Sequence, residues 1–272
     1  MSDSSLHRSD FDHHVEILKE SFRQDRINLS AAPPLRSVMA PQLAYGRHRG
    51  PVFGEARRAA VLIALYLDPM LGWVTPLTLR PDDLEHHPGQ ISFPGGRVEP
   101  NEGEEEAARR EFAEELGVVP SQAITVGRLS PIFVYASHHL VSPFVAVMPG
   151  PSLSWNPDPR EVAEVIEFPL GKLYEQKSKG RIRKMAKWVQ PRNAGRDPST
   201  NGICTTREGL PPADRLPEKP KRSTLKDAAL VFETPAYEHS DHWIWGATAM
   251  MLHELSTLLP WPLILGGESF ST

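Results

Sequence analysis

Eight glutamates crowd the 19 positions from Arg97 to Glu115, against three arginines. No other stretch limits the fold so tightly. Read as a helix over Glu104–Leu116, it puts Glu111 on one ridge with Glu114 and Glu115, three and four positions on. Ala108, Phe112 and Leu116, each four apart, form the opposite, apolar stripe. Like charges on one ridge are destabilising, so this helix needs an apolar seat for one face and a neutralising partner for the other. Gly117 follows as a left-handed cap. A solvated acidic face is the plain alternative. The chemical alternative is a hard divalent cation with oxygen ligands, magnesium or manganese.

Apolar runs of strand length surround this helix at Ala59–Leu67, Trp73–Leu79, Gln90–Phe93, Ala123–Leu129 and Leu140–Met148, with shorter ones at Val162–Phe168 and Ala228–Thr234. A second helix is expected over about Trp243–Leu259, stopped by Pro260. Strands mixed with few, well-separated helices argue for an α/β or α+β sandwich and against a barrel of repeated strand–helix units. Before Pro51, a helix over about Phe11–Arg26 and a proline turn at 32–34 read as an N-terminal extension, residues 1–50, ahead of a domain over 51–272.

Composition sets the outer bounds. With 272 residues, 40% of them apolar and 24% charged, the chain has ordinary globular usage and enough length for a sizeable core. Its 27 prolines are about twice the usual share, so much irregular structure is expected. The net charge of −4 hides a division, because Lys172–Lys226 holds 15 basic and 5 acidic residues. That segment carries +10 and the remainder −14. Its proline-rich part, about 176–226, reads as a basic insertion that would concentrate a polyanionic small molecule or, as a minority reading, RNA. A single cysteine, Cys204, excludes an internal disulfide and agrees with a reducing compartment. The first residues lack the pattern of a signal peptide and the longest wholly apolar stretch has nine residues, so a cytoplasmic protein with no membrane span is expected. A homodimer is the default expectation for oligomeric state.

The full spacing around the acidic helix resembles the Nudix box. Gly96, Glu102, Arg110, Glu111, Phe112, Glu114, Glu115, Gly117 and Val118 fill each fixed position of that motif over 23 residues. The resemblance implies a Nudix fold, an α/β/α sandwich around a mixed β-sheet, and metal-dependent hydrolysis of a nucleoside diphosphate derivative. It implies Glu111, Glu114 and Glu115 as ligands of Mg2+ or Mn2+, helped by the Gly95 carbonyl, and Arg110 as the residue that orients the glutamates. Glu102 would hold the loop–helix geometry. The general base is a box glutamate or an acid from a later loop, and Glu161 and Glu164 are the later candidates.

Upstream residues narrow the substrate. Leu77-Thr78-Leu79-Arg80, Leu84, His87, Gly89-Gln90 and Phe93-Pro94-Gly95-Gly96 resemble the signature of the coenzyme A pyrophosphatase subfamily. Further matches lie at Arg58–Leu62, Val141–Val145, Glu161–Val165 and Ile244–Ala249. This resemblance implies cleavage of coenzyme A or acyl-coenzyme A to adenosine 3′,5′-bisphosphate and a 4′-phosphopantetheine product. Arg80 would contact phosphate, with His87, Gln90 and Gly96 at the substrate. Pro76, Pro81 and Glu85 depart from the signature, and Glu85 reverses the charge of an arginine. ADP-ribose, NADH or a capped RNA end is therefore the alternative substrate, and a binding module without catalysis is the rival of another class.

Overall fold

The computed structural model describes residues 8–28, 39, 56–81, 89–134, 137–149, 155–175, 180–187 and 229–266. Its centre is strand β1, Arg57–Asp68, whose alternating residues divide the interior in two. Ala60, Leu62, Ala64 and Tyr66 pack with Ala107, Ala108, Phe112 and Leu116 of helix α2, Glu104–Leu116. Ala59, Val61, Ile63 and Leu65 face the other way. They join Val15, Leu18 and Phe22 of α1, Arg8–Asn28, and Met250, Met251, Leu252 and Leu255 of α4, Gly246–Leu258. The period of two along a strand is what lets one element serve both cores.

Hydrogen bonding builds an eight-stranded mixed sheet in the order β3-β2-β1-β7-β5, with β4 also on β1, β6 on β7 and β8 on β2. These strands are β2, Gly72–Leu79; β3, Ile91–Ser92; β4, Gly95–Arg97; β5, Ile124–Arg128; β6, Ile132–Val134; β7, His139–Val147; and β8, Glu164–Pro169. β1 and β7 run parallel from Arg57↔His139 to Leu65↔Val147, while the other pairs are antiparallel. Helices on both faces make the α/β/α sandwich that the sequence implied. After α3, Gly171–Glu175, a second sheet of β9, Gly180–Lys187, β10, Ala229–His239, and β11, His242–Trp245, leads into α4 and the short α5, Trp261–Ile264.

Four differences from the sequence reading have physical causes. Gly95–Arg97 is a strand because Ala59, Ala60 and Val61 of β1 pair with it, not because of any apolar alternation. Gly180–Lys187, inside the segment read as an irregular insertion, is a strand on β10; the rest of 176–226 lies outside the described residues. Trp243–Trp245 belongs to β11 instead of the second helix: Trp245 is extended and caps α4, whose first residue, Gly246, turns the chain at φ 66°. The helix of the N-terminal segment is part of the main core: Leu18 is fully buried, and the Ser21 hydroxyl donates to the Leu258 carbonyl at 2.5 Å. No helix among the described residues is long and apolar enough to cross a membrane.

Candidate active site

The acidic helix occupies the span read from the sequence, Glu104–Leu116, and Gly117 ends it at φ 67° with its N–H on the Ala113 carbonyl. Its buried stripe fixes the rotation of the ridge, so the carboxylates turn toward strand β4 and the end of β2. Two glycines make that approach possible. A side chain on Gly95 would strike the Ala60 carbonyl of β1, and one on Gly96 would strike the Glu111 carboxylate. Glu111 therefore lies directly over the Gly96 backbone.

Arg110 gathers three of the acids. Its Nε and Nη2 donate to the two oxygens of Glu102 at 2.8 and 3.2 Å, and Nη2 also reaches the Arg97 carbonyl at 3.0 Å. Nη1 donates to Glu111 Oε1 at 3.1 Å and to Glu114 Oε2 at 3.0 Å. Glu102 in turn accepts the Glu99 N–H at 3.0 Å, which ties the loop to the helix through one arginine. Hydrogen bonds to Arg110 and to the Glu99 backbone hold the Glu102 carboxyl below the usual range.

Glu115 is the buried member, only 6% exposed, with the Thr78 hydroxyl donating to it at 3.4 Å and the Gly95 N–H beside it. Burial pushes its carboxyl up to about 7; Arg80 opposes the shift, while Glu111 and Glu161 add to it. Burial also raises Glu111, with Arg110 opposing and Glu114 and Glu161 contributing. The two acids thus resist carrying adjacent charges in a half-dry site. This donor set is all oxygen and short of positive charge, which fits a hard divalent cation such as Mg2+ or Mn2+. Among the described residues no three acids are gathered as a preformed ligand set. Arg110 and Thr78 hold the carboxylates instead.

Arg80 continues β2 past Leu79 and pairs with the lead into β3: its N–H donates to the Gln90 carbonyl at 3.0 Å, and its carbonyl accepts the Gly89 N–H at 3.2 Å. Its charge acts on Glu115, and its Nε is buried without a partner among the described residues. A guanidinium in that position can donate to a phosphate. Gln90 is the backbone partner of Arg80. His87 and Glu85 lie outside the described residues.

The structure separates the two later acids. Glu164 sits opposite Leu79 in the β2–β8 ladder, is half exposed, and lies 3.3 Å from His242 Nε2. Glu161 contributes, as the smallest of the named causes, to the raised carboxyls of both Glu111 and Glu115.

A Gly-Gly strand and an acidic helix beside the central strand of a mixed sheet between helical layers form the arrangement expected of a Nudix fold. Residues 57–189, just under half of the chain, match the family model described as the NUDIX domain. It is 37% identical over 115 residues to the "Uncharacterized Nudix hydrolase NudL" of Escherichia coli, covering 42% of this chain and 58% of that relative. The NudL of Salmonella newport gives the same figures, so the chain spans less than two thirds of the length of these curated relatives. Among solved structures, the Nudix hydrolase RenU from M. smegmatis is 22% identical, covering 45% of this chain and 76% of that one at a TM-score of 0.38. The NUDIX domain of Shewanella oneidensis NrtR complexed with ADP ribose is 16% identical, covering 49% and 87% at a TM-score of 0.36.

Proposed function

We propose that the chain hydrolyses the diphosphate bond of coenzyme A or acyl-coenzyme A, in the cytoplasm and with Mg2+ or Mn2+. One observation carries the reading: Arg80, whose buried Nε has no hydrogen-bond partner among the described residues, acts on the same Glu115 whose carboxylate takes the Gly95 N–H beside Glu111. A diphosphate lying between them would meet a guanidinium on one side and the metal-binding acids on the other.

Glu111, Glu114, Glu115 and the Gly95 carbonyl would hold the divalent ion, which when bound screens phosphoryl oxygens and favours ionisation of water. Arg110 keeps Glu111 and Glu114 in place through its bonds to both. Arg80 binds the phosphate, and Gln90 and His87 orient the substrate. Glu161, in place of Glu164, is the general base that removes a proton from the attacking water. The water oxygen bonds to one phosphorus as the bridging P–O bond breaks, and the electron pair leaves with the other phosphate. The products are adenosine 3′,5′-bisphosphate and (acyl-)4′-phosphopantetheine.

The charge reversal at Glu85 favours a second reading, cleavage of another nucleoside diphosphate derivative such as ADP-ribose, NADH or capped RNA by the same machinery. Mass spectrometry of products from a panel of these compounds with coenzyme A and an acyl-coenzyme A, using wild type and Glu114→Gln, tests both. Adenosine 3′,5′-bisphosphate formed only by wild type is expected. Cleavage confined to the other members would transfer the assignment to them, and no cleavage at all would leave a binding module.

A further inference from the structure

Strand β4 carries an arginine on the side away from the acidic helix. Gly96 pairs with Ala60, which packs toward α2, and a side chain on Gly96 would strike Glu111. The next residue, Arg97, pairs with Ala59, which belongs to the opposite core. Alternation therefore puts the Arg97 side chain on the far face of the sheet, while its carbonyl still accepts Arg110 Nη2 at the site. Among the described residues β4 pairs with β1 alone, so Arg97 stands at an open edge, one residue from the glycine under Glu111.

β1 supplies a second arginine there. Arg57 lies two positions before Ala59, on the same face and diagonally across from Arg97, roughly 7–8 Å away at the Cβ atoms. Both are exposed. Two neighbouring arginines are engaged: Arg110 holds Glu102, Glu111 and Glu114, and Arg58, which alternation turns toward α2, donates to Glu104 Oε1 at 3.0 and 2.5 Å. The guanidinium groups of Arg57 and Arg97 make no hydrogen bond or ion pair among the described residues, and the nearby Glu99 carboxylate pairs with neither.

Like charges on one face of a strand pair repel, and an anion held between them removes that cost. Guanidinium groups bind phosphate oxygens through paired, parallel hydrogen bonds. We propose that Arg57 and Arg97 form a second phosphate subsite, for a phosphate that the substrate carries outside its scissile diphosphate. On the coenzyme A reading, on which this inference rests, that group is the 3′-phosphate. The diphosphate leaves the ribose at the 5′ carbon and the third phosphate at the 3′ carbon. A ribose lying across the edge of β4 thus presents one to the acids and Arg80, and the other to Arg57 and Arg97.

The test compares coenzyme A with 3′-dephospho-coenzyme A in wild type, Arg97→Gln, Arg57→Gln and Arg58→Gln, with melting curves to confirm folding. Wild type should have the lower KM for coenzyme A. Arg97→Gln should raise that KM about tenfold at unchanged kcat, and should move KM for the dephospho compound by less than about twofold. Arg57→Gln should act in the same sense. Arg58→Gln, which removes an equal charge from the other face, should keep the preference. A wild type that handles the two substrates alike, an Arg97→Gln enzyme that changes neither or loses both equally, or an Arg58→Gln enzyme that loses the preference as fully would overturn the subsite and leave the coenzyme A activity in place. Calorimetry with adenosine 3′,5′-bisphosphate and AMP asks the same question without turnover: wild type should bind the bisphosphate more tightly, and Arg97→Gln should bind the two alike. Should wild type cleave neither coenzyme, the substrate assignment falls, and this binding comparison alone keeps or removes the subsite.

Discussion

The two faces of β1 are built to different rules. Toward α2 the core is smaller: Ala60, Ala64, Ala107 and Ala108 let helix and strand come close between the larger Leu62, Tyr66, Phe112 and Leu116, and the same helix carries Arg110 with its ion pairs to Glu102 and Glu111. Toward α1 and α4 the core is broad and filled by large side chains such as Leu18, Phe22, Met250, Met251 and Leu252. Small residues on one face place chemistry near the backbone of the central strand. Large residues on the other supply most of the burial that stabilises the fold against the cost of ordering the chain. Catalysis and stability should therefore respond separately to substitution on the two faces.

The strongest challenge to that separation is Glu111→Gln. Activity should fall by more than about a hundredfold, since even outer-shell partners of a bound metal are worth 10–100-fold. The melting temperature should hold or rise, because burial already penalises the charge that glutamine lacks. An active Glu111→Gln enzyme would contradict the assignment of the acidic face.

Its counterpart is Leu252→Ala, at a fully buried position on α4. Urea denaturation should show a loss of about 2–5 kcal/mol, with kcat per folded molecule near wild type. A large fall in kcat without loss of stability would mean that the two faces are coupled.

A pair of glycines sharpens the contrast. Alanine at Gly96 meets the flexible end of Glu111, whereas alanine at Gly127 meets the Phe22 ring of α1. Gly96→Ala should lower activity about tenfold and leave stability within about 1 kcal/mol. Gly127→Ala should destabilise by about 1–3 kcal/mol and leave the folded enzyme active. Exchange of these two outcomes would reverse the roles of the faces.

The smallest effect expected is with pH. Burial lowers the imidazoles of His14, His239 and His253 below the ordinary 6.5. The folded state favours their neutral forms, so the unfolded chain binds more protons as pH drops. Their contribution to stability is fully present above pH 6.5 and declines as pH falls below it, opposite in sense to the raised Glu115 carboxyl; measured in a Glu115→Gln background, which removes that opposing group, the melting temperature should be lower at pH 5 than at pH 8. His14→Phe, beside the Trp73 ring, should flatten part of that slope; a steeper slope would mean that His14 gains a partner on protonation.

Legibility followed periodicity. Helix α2 and strands β1, β2 and β7 were readable because their apolar residues repeat at 3.6 or 2, or run unbroken through a doubly covered strand. β4 was not, because Gly-Gly-Arg carries no pattern and is extended only through its pairing with β1. β9 was hidden by its basic composition and exists by pairing with β10. At the site, Arg110 and Glu102 could be assigned from motif spacing, and their hydrogen bonds agree with it. The choice between Glu161 and Glu164 could not, since it depends on where a turn ends and a ladder begins.

The parallel pairing of β1 with β7 also sets an order of events during folding. Arg57 must find His139 across an intervening stretch that contains the acidic helix and most of the other strands. A ribosome releases the chain from its N-terminus, so β1 emerges long before its central partner does. Until then β1 has its antiparallel neighbours, α1 on one face, and on the other a helix whose stacked charges favour solvent. Closure of that long loop is entropically costly and slow, which makes the arrival of β7 the natural commitment step in assembling the active site.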